Sequence, residues 1–449
     1  MTHVMTYRGH SKAVLVLGIP LIGSHLAQMV IGMTDTVMMG WYGVEDLAAM
    51  VLASSMFFLL FIVGAGFSFA VMPMVANAAS AGDDVQIRRV TRMGFWASVF
   101  FAILVLPIMW WSGALFLGLG QEPVVAQLSQ DYLRITAIGL FPSLFVMVIK
   151  SYLAALERTQ IVLWVTVAGA LVNGILNYAL IFGNWGAPEL GIQGAAIASV
   201  MMPIASVPLL LVYIKRNMPE HALFQRIWRF DREAFGQVFR LGWPIGLTNL
   251  AETALFSATA IMMGWVGTLE LAAHGIALQW TAVAFMVHVG LGNAATIRAG
   301  RAVGRADAAG LRRGGIATLV MALMLSCLAV VLFLSVPEFL ISIYLDSAEP
   351  SRDQIIAIGV NLLIMAALFH VADSAQVIAL GLLRGVQDAR VPLILAVISY
   401  WMFGLPAGYL FGFVWGYGAV GVWMGLVCGL TLAAILLNYR FWTKGWVAT

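Results

Sequence analysis

Twelve mostly apolar stretches recur along this chain, at 13–40, 47–77, 91–117, 129–155, 160–184, 191–214, 237–265, 271–297, 314–337, 356–383, 391–413 and 419–440. Each is roughly 20 residues or longer, enough to cross ~30 Å of hydrocarbon as a helix. Hydrocarbon supplies no partner for backbone N–H and C=O groups, so segments of this kind must satisfy them internally. The pattern therefore predicts an all-α integral membrane protein with twelve transmembrane helices. Composition agrees: 62% of residues are hydrophobic and 10% are charged, against ~45–50% and ~25% in soluble domains. A soluble enzyme, a disordered chain and a disulfide-stapled fold are excluded together. The longest polar connection, 215–236, is too short for a folded extramembrane domain. Arg8 and Lys12 precede an apolar run too long for a signal-peptide core, which makes that run the first helix. Cys327 and Cys428 each sit inside an apolar run and read as small core residues.

Basic residues fix the expected orientation. They gather before helix 1 and after every even-numbered span: Arg88, Arg89 and Arg92 after helix 2, Arg158 after helix 4, and Lys215 through Arg240 after helix 6. Arg298 through Arg313 follow helix 8, Arg384 and Arg390 helix 10, and Arg440 and Lys444 helix 12. Lys150, at the end of helix 4, is expected to snorkel to the interface. The opposite loops hold acids such as Glu45, Glu122, Glu189 and Asp346. Both termini are thus expected to be cytoplasmic.

The chain also repeats itself. Residues 17–49 align with 241–273 without a gap at an offset of 224, with 13 of 33 positions identical, including Pro20/Pro244 and Trp41/Trp265. Asp83, Arg88 and Arg89 correspond at the same offset to Asp307, Arg312 and Arg313. Six spans per half is an even number, so the halves share one topology and form parallel repeats. The expected organisation is an N-terminal six-helix lobe at 1–214, a cytoplasmic linker at 215–236 and a C-terminal six-helix lobe at 237–449. Pro20 removes a helical hydrogen bond and gives helix 1 a place to bend.

Ionisable groups at membrane depth cost ~2.5–3.5 kcal/mol even on lenient scales, so each is a functional candidate. Three acids lie well inside spans: Asp35, Glu252 and Asp373. Glu252 is 12 residues past Arg240 and Asp373 is 11 before Arg384, which puts both ~17 Å up and at one level. Asp35 lies in the outer part of helix 1, far past Lys12. Asn173 and Asn177 share one face of helix 5, in its half remote from Arg158, and Ser199 is similarly remote from Lys215 in helix 6. A carboxylate, two amides and a hydroxyl at similar depth suit a hard cation such as Na⁺, or a protonatable Asp held by hydrogen bonds. The competing readings are a solvated surface position for Asp35, interhelical glue for the asparagines, and a structural network of Glu252 and Asp373 with the adjacent His370. His25, His274 and His288 read as satisfied core residues. Met and aromatic side chains suit an adaptable substrate cavity; Trp280, Phe285 and Gln28, the repeat counterpart of Glu252, are its candidate lining.

Enzymatic motifs are missing. The sequence has no GxxxxGK[ST] phosphate loop, no HExxH or paired-Cys metal pattern and no GxSxG elbow. No enzymatic activity and no cofactor are therefore expected, and an ion gradient is the energy source that remains. The formal charge of +3 gives no reason to expect a nucleic-acid partner.

Three segments, MTDTVMMG in helix 1, PIGLTNLAET in helix 7 and HVADSAQ in helix 10, give the two-half pattern a family likeness. It resembles the multidrug and toxic compound extrusion (MATE) transporters, and most of all their NorM-like bacterial branch. The resemblance implies a Na⁺- or H⁺-coupled antiporter that exports hydrophobic, often cationic, drugs by alternating access. It also implies a multi-pass, monomeric protein of the bacterial inner membrane. Members of this family place a cation or proton site at positions matching Asp35, Asn173, Asn177 and Ser199, and NorM-like members also use those matching Glu252 and Asp373. Some sodium-coupled members carry Tyr one turn before that Asp, where this chain has Phe369. The alternatives are a lipid-linked precursor flippase of related build, which would favour a basic cavity, and a channel or receptor.

Overall fold

The computed structural model describes residues 5–346 and 349–446. Among these are twelve helices long and apolar enough to span a membrane. They are α1 (Tyr7–Tyr42), α2 (Val44–Ala81), α3 (Asp84–Trp110), α4 (Pro123–Ala155), α5 (Thr159–Phe182), α6 (Gly191–Asn217), α7 (Arg232–Val266), α8 (Thr268–Gly304), α9 (Ala308–Ser335), α10 (Arg352–Gly385), α11 (Arg390–Val414) and α12 (Gly418–Thr443). Large apolar side chains such as Leu104, Leu171, Leu328 and Met402 are exposed on their outer faces. In water such a surface would aggregate; against lipid it is the solvated state. The protein is a multi-pass membrane protein.

Hydropathy places the spans but not every break. The stretch read as 91–117 is two helices, because α3 ends at Trp110 and a short helix, Ser112–Gly118, follows. Its counterpart after α9 is Pro337–Ser342. Start signals repeat as well. Asp83 accepts a hydrogen bond from the Gln86 backbone N–H at 2.9 Å, and Asp307 accepts one from that of Gly310 at 2.7 Å. Each satisfies an orphan donor in the first helical turn.

The chain divides into two compact units, one made of Met1–Ile22 with Leu247–Thr449 and the other of Gly23–Gly246. The sequence suggests a division at the 215–236 connection, yet the boundaries fall inside α1 and α7. They are separated by the offset of the repeat itself. α1 runs unbroken through Pro20, and the boundary comes just after it; Pro244 precedes the second boundary in the same way.

Within each unit the borrowed half-helix is held by close backbone approach. A Cβ on Gly66 of α2 would lie 2.4 Å from the backbone nitrogen of Gly246. In the other unit, a Cβ on Gly290 of α8 would lie 2.8 Å from the backbone nitrogen of Ile22. Gly66 and Gly290 are themselves counterparts in the repeat. The tightest packing joins α11 and α12. Gly404, Gly408 and Gly412 face Gly421, Gly425 and Gly429, and a Cβ on Gly425 would sit 2.2 Å from the Gly408 nitrogen. Small residues four apart let helices approach where no hydrophobic effect drives them together. α11 itself contains two π-helical stretches, Ile398–Gly404 and Leu410–Val414.

The 215–236 connection is strapped down inside the unit Gly23–Gly246. Arg88 donates to the His221 carbonyl at 2.8 Å, Arg92 to those of Leu223 and Ala222 at 2.7 and 2.9 Å, and Trp96 to that of Ile227 at 3.0 Å. Arg89 pairs with Asp231 at 2.6 Å and with Glu233 at 2.7 Å. The guanidinium holds the Asp231 carboxyl below its ordinary range.

Two expectations are corrected. Lys150 does not snorkel; it is buried and donates to Thr166 Oγ1 at 2.8 Å, because α5 places a hydroxyl within its reach. Cys327 is exposed rather than in the core, on a face of α9 turned away from its helical neighbours.

Gly425→Val should lower stability by about 3 kcal/mol or more through overpacking. Gly275→Val, in open space on α8, should cost far less, as read by thermal unfolding in detergent. Arg92→Ala should release the strap, with faster proteolysis between residues 218 and 231. Because the folded Asp231 carboxyl is depressed, the Arg89–Asp231 contribution is present above the ordinary carboxylate range and is lost as pH falls through the folded value.

Candidate functional site

In the unit Gly23–Gly246, the second half of α1 brings Asp35 against α5 and α6. Asn177 Nδ2 donates to Asp35 Oδ1 at 2.5 Å, and Ser199 Oγ donates to Asp35 Oδ2 at 3.3 Å. Asn177 Nδ2 also reaches Asn173 Oδ1 at 3.3 Å, the contact expected of positions four apart on a helix. All four residues singled out for this half therefore meet in one cluster. Both asparagines are fully buried while Asp35 and Ser199 are half-buried, so the cluster is closed behind and open in front.

The open side is a cavity of about 440 Å³. Asp35 and Ser199 line it with Tyr132, Thr36, Ser54 and Ser143, and Met50, Phe57 and Phe58 form apolar parts of its wall. It thus carries a single carboxylate among hydroxyls and soft apolar groups. None of Gln28, Phe285 and Trp280 lines it. Gln28 is exposed and Phe285 half-buried, while Trp280 spends its indole N–H on the Leu340 carbonyl at 2.9 Å, packed edge-on to Tyr344.

The other unit holds the remaining acids. Glu252 on α7 and Asp373 on α10 are buried, at 9% and 0% exposure. Each has its own partner. His288 Nδ1 lies 3.0 Å from Asp373 Oδ2, and Gln376 Nε2 donates to Glu252 Oε1 at 3.4 Å and to the Tyr400 hydroxyl at 2.5 Å. Gln376 and Asp373 are three apart on α10 and share a face. Arg384 extends its guanidinium to Asn249 Oδ1 at 2.6 Å, so it serves this buried network as well as marking a span end.

Sequence reasoning passed over Tyr132, Gln376 and Tyr400, and read His288 only as a core residue. Gln376 was in reach, since it stands in HVADSAQ one turn past the acid. His288 gave no such signal: nothing in its span shows which face meets α10. His274, by contrast, is a core residue as expected, accepting from the Trp423 indole at 3.0 Å. Phe369 fills the position one turn before Asp373 with a buried ring, edge-on to Trp423 and Phe256.

The MatE family profile matches residues 20–179 and 244–410, one segment in each half. The chain belongs to the MatE family. The relatives of this MatE chain include the probable multidrug resistance protein NorM of Rhizobium meliloti, 44% identical over 96% of this chain and 93% of that one. The like-named protein of Brucella suis is 36% identical over 95% and 92%. Among solved structures, the outward-facing conformation of a multidrug resistance MATE family transporter superposes with a TM-score of 0.88 at 20% identity, covering 99% of each chain. That likeness establishes the fold.

His288→Ala would leave the Asp373 carboxylate of this MatE protein buried without its donor, at a cost of about 3–5 kcal/mol. Replacing both residues by Leu should recover most of the loss, as measured by the detergent melting temperature.

Proposed function

We propose that this protein is a cation-coupled multidrug antiporter of the inner membrane, its termini cytoplasmic and its working form a monomer. The observation that carries the reading is Asp35. It is a carboxylate on a cavity wall at membrane depth, with Asn177 donating to one oxygen and Ser199 to the other. Such a group is costly unless a positive charge visits it. Na⁺ or H⁺ entering from outside neutralises Asp35, with Asn173, Asn177 and Ser199 supplying oxygens or hydrogen bonds. Glu252 and Asp373 discharge in the same way in the other unit. Neutralisation lets the helices repack and releases a bound drug outward, in alternating access. One charge descending 100 mV supplies ~2.3 kcal/mol.

The cavity's chemistry names the substrate class. An acid beside Met and Phe side chains favours hydrophobic cations. A pyrophosphate-bearing lipid would require basic groups there, and the cavity lining has none. The names of the NorM relatives agree with drug export.

Efflux of a fluorescent lipophilic cation from cells carrying Asp35→Asn, Glu252→Gln or Asp373→Asn tests the proposal. At least one substitution should abolish transport under an imposed Na⁺ or pH gradient, with the protein still present in the membrane at normal level. Undiminished efflux in all three would overturn it.

A further inference from the structure

We infer that His288, His370 and Asp373 form a binding site for one divalent transition-metal ion of the zinc, cobalt and nickel class. The inference goes beyond drug export and does not rest on it, though the two share Asp373, whose charge a bound metal ion would cancel in place of the coupling cation.

All three side chains are fully or almost fully buried, and one ligand atom from each lies within 4.8 Å of the others. His370 and Asp373 are three apart and share a face of α10, and His288 reaches them from α8. The two helices are locked where a Cβ on Gly381 would lie 2.4 Å from the Gly292 carbonyl oxygen, so the ligands project from a fixed frame. Metal–ligand bonds of about 2.0–2.2 Å place tetrahedral donors roughly 3.4 Å apart.

Unmet bonding capacity points to a ligand. Among the described residues, neither ring nitrogen of His370 has a hydrogen-bond partner, and neither does Oδ1 of Asp373. A buried polar group left without a partner costs about 1–3 kcal/mol, and among the described residues His370 is the one histidine with both ring nitrogens in that position. Here the ring is walled by Phe333 and His288, with centroids 5.4 and 5.6 Å away, and its nitrogens are left for an ion. An ion would accept one His370 nitrogen, one Asp373 oxygen and one His288 nitrogen, displacing the proton that bridges the 3.0 Å His288–Asp373 contact.

Donor type selects the ion. Imidazole suits zinc, nickel and cobalt, whereas Na⁺ and Mg²⁺ take oxygen. Two imidazoles and one carboxylate make a three-ligand set with a coordination position left open, as in metal sites that exchange their fourth ligand. The Asp35 cluster, with its carboxylate, amide and hydroxyl oxygens, is the opposite kind of site.

The test uses the full-length protein in detergent, with any affinity tag removed and metal stripped by chelator. Co²⁺ is titrated while its visible absorption is followed, and Zn²⁺ retained after gel filtration is measured by elemental analysis. One ion per chain is expected, with the absorption band saturating at one equivalent. His370→Ala and His288→Ala should abolish the band. Asp35→Asn, in the other unit, should retain it. Absence of stoichiometric metal on the wild-type protein would overturn the inference without recourse to any variant, and so would a band that survives both histidine substitutions. Loss of efflux in Asp35→Asn bears on drug export alone, so the two proposals fail separately.

Discussion

A carboxylate withdrawn from water must find a donor for each oxygen or a cation to cancel its charge, and the functional geometry of this chain follows from that demand. Asp35 meets it with Asn177 and Ser199 and remains open to the cavity on one side. Asp373 meets half of it with His288 and keeps one oxygen unpartnered among the described residues. Glu252 is served by Gln376, whose amide also engages Tyr400. The three acids differ in how completely they are satisfied, and that difference separates their chemistry. One is an oxygen-lined site beside a cavity; another sits among imidazoles.

The scaffold holding these groups depends on closeness rather than on oily contact. Lipid tails are as apolar as the helices, so dispersion between well-fitted surfaces must bind them. Glycine at the α11–α12 and α8–α10 contacts, and where each half-helix crosses its unit, leaves no space for a methyl group. Frames of this kind keep ligand atoms in place although the surrounding solvent is fluid.

Much of this was legible in the residues. Span count and repeat follow from hydropathy and the constant offset between the halves, and the meeting of Asp35, Asn173, Asn177 and Ser199 follows from counting helical rise from the nearest basic anchor. That ruler works because each residue lies on a straight helix between interfaces. It fails where rotation about the helix axis decides the outcome. His288 could not be aimed at α10 from its own span. Lys150 looked like an interfacial cation because the Thr166 hydroxyl that receives it belongs to another helix. The arginines after α2 read as markers of sidedness, and their other task, binding the carbonyls of His221, Ala222 and Leu223, leaves no trace in composition. The unit boundaries inside α1 and α7 were invisible for a related reason: hydropathy treats a span as indivisible, whereas packing partners can change halfway along it.

That exchange of half-helices has a consequence for biosynthesis. The part of α1 up to Ile22 belongs with segments that begin at Leu247, so it is translated and enters the bilayer long before its packing partners are made. Until α8 is synthesised, the Ile22 end of that half-helix has no glycine surface to receive it. The unit Gly23–Gly246 is one continuous stretch, whereas the other is complete only once an early-made piece of the polypeptide docks onto late-made ones.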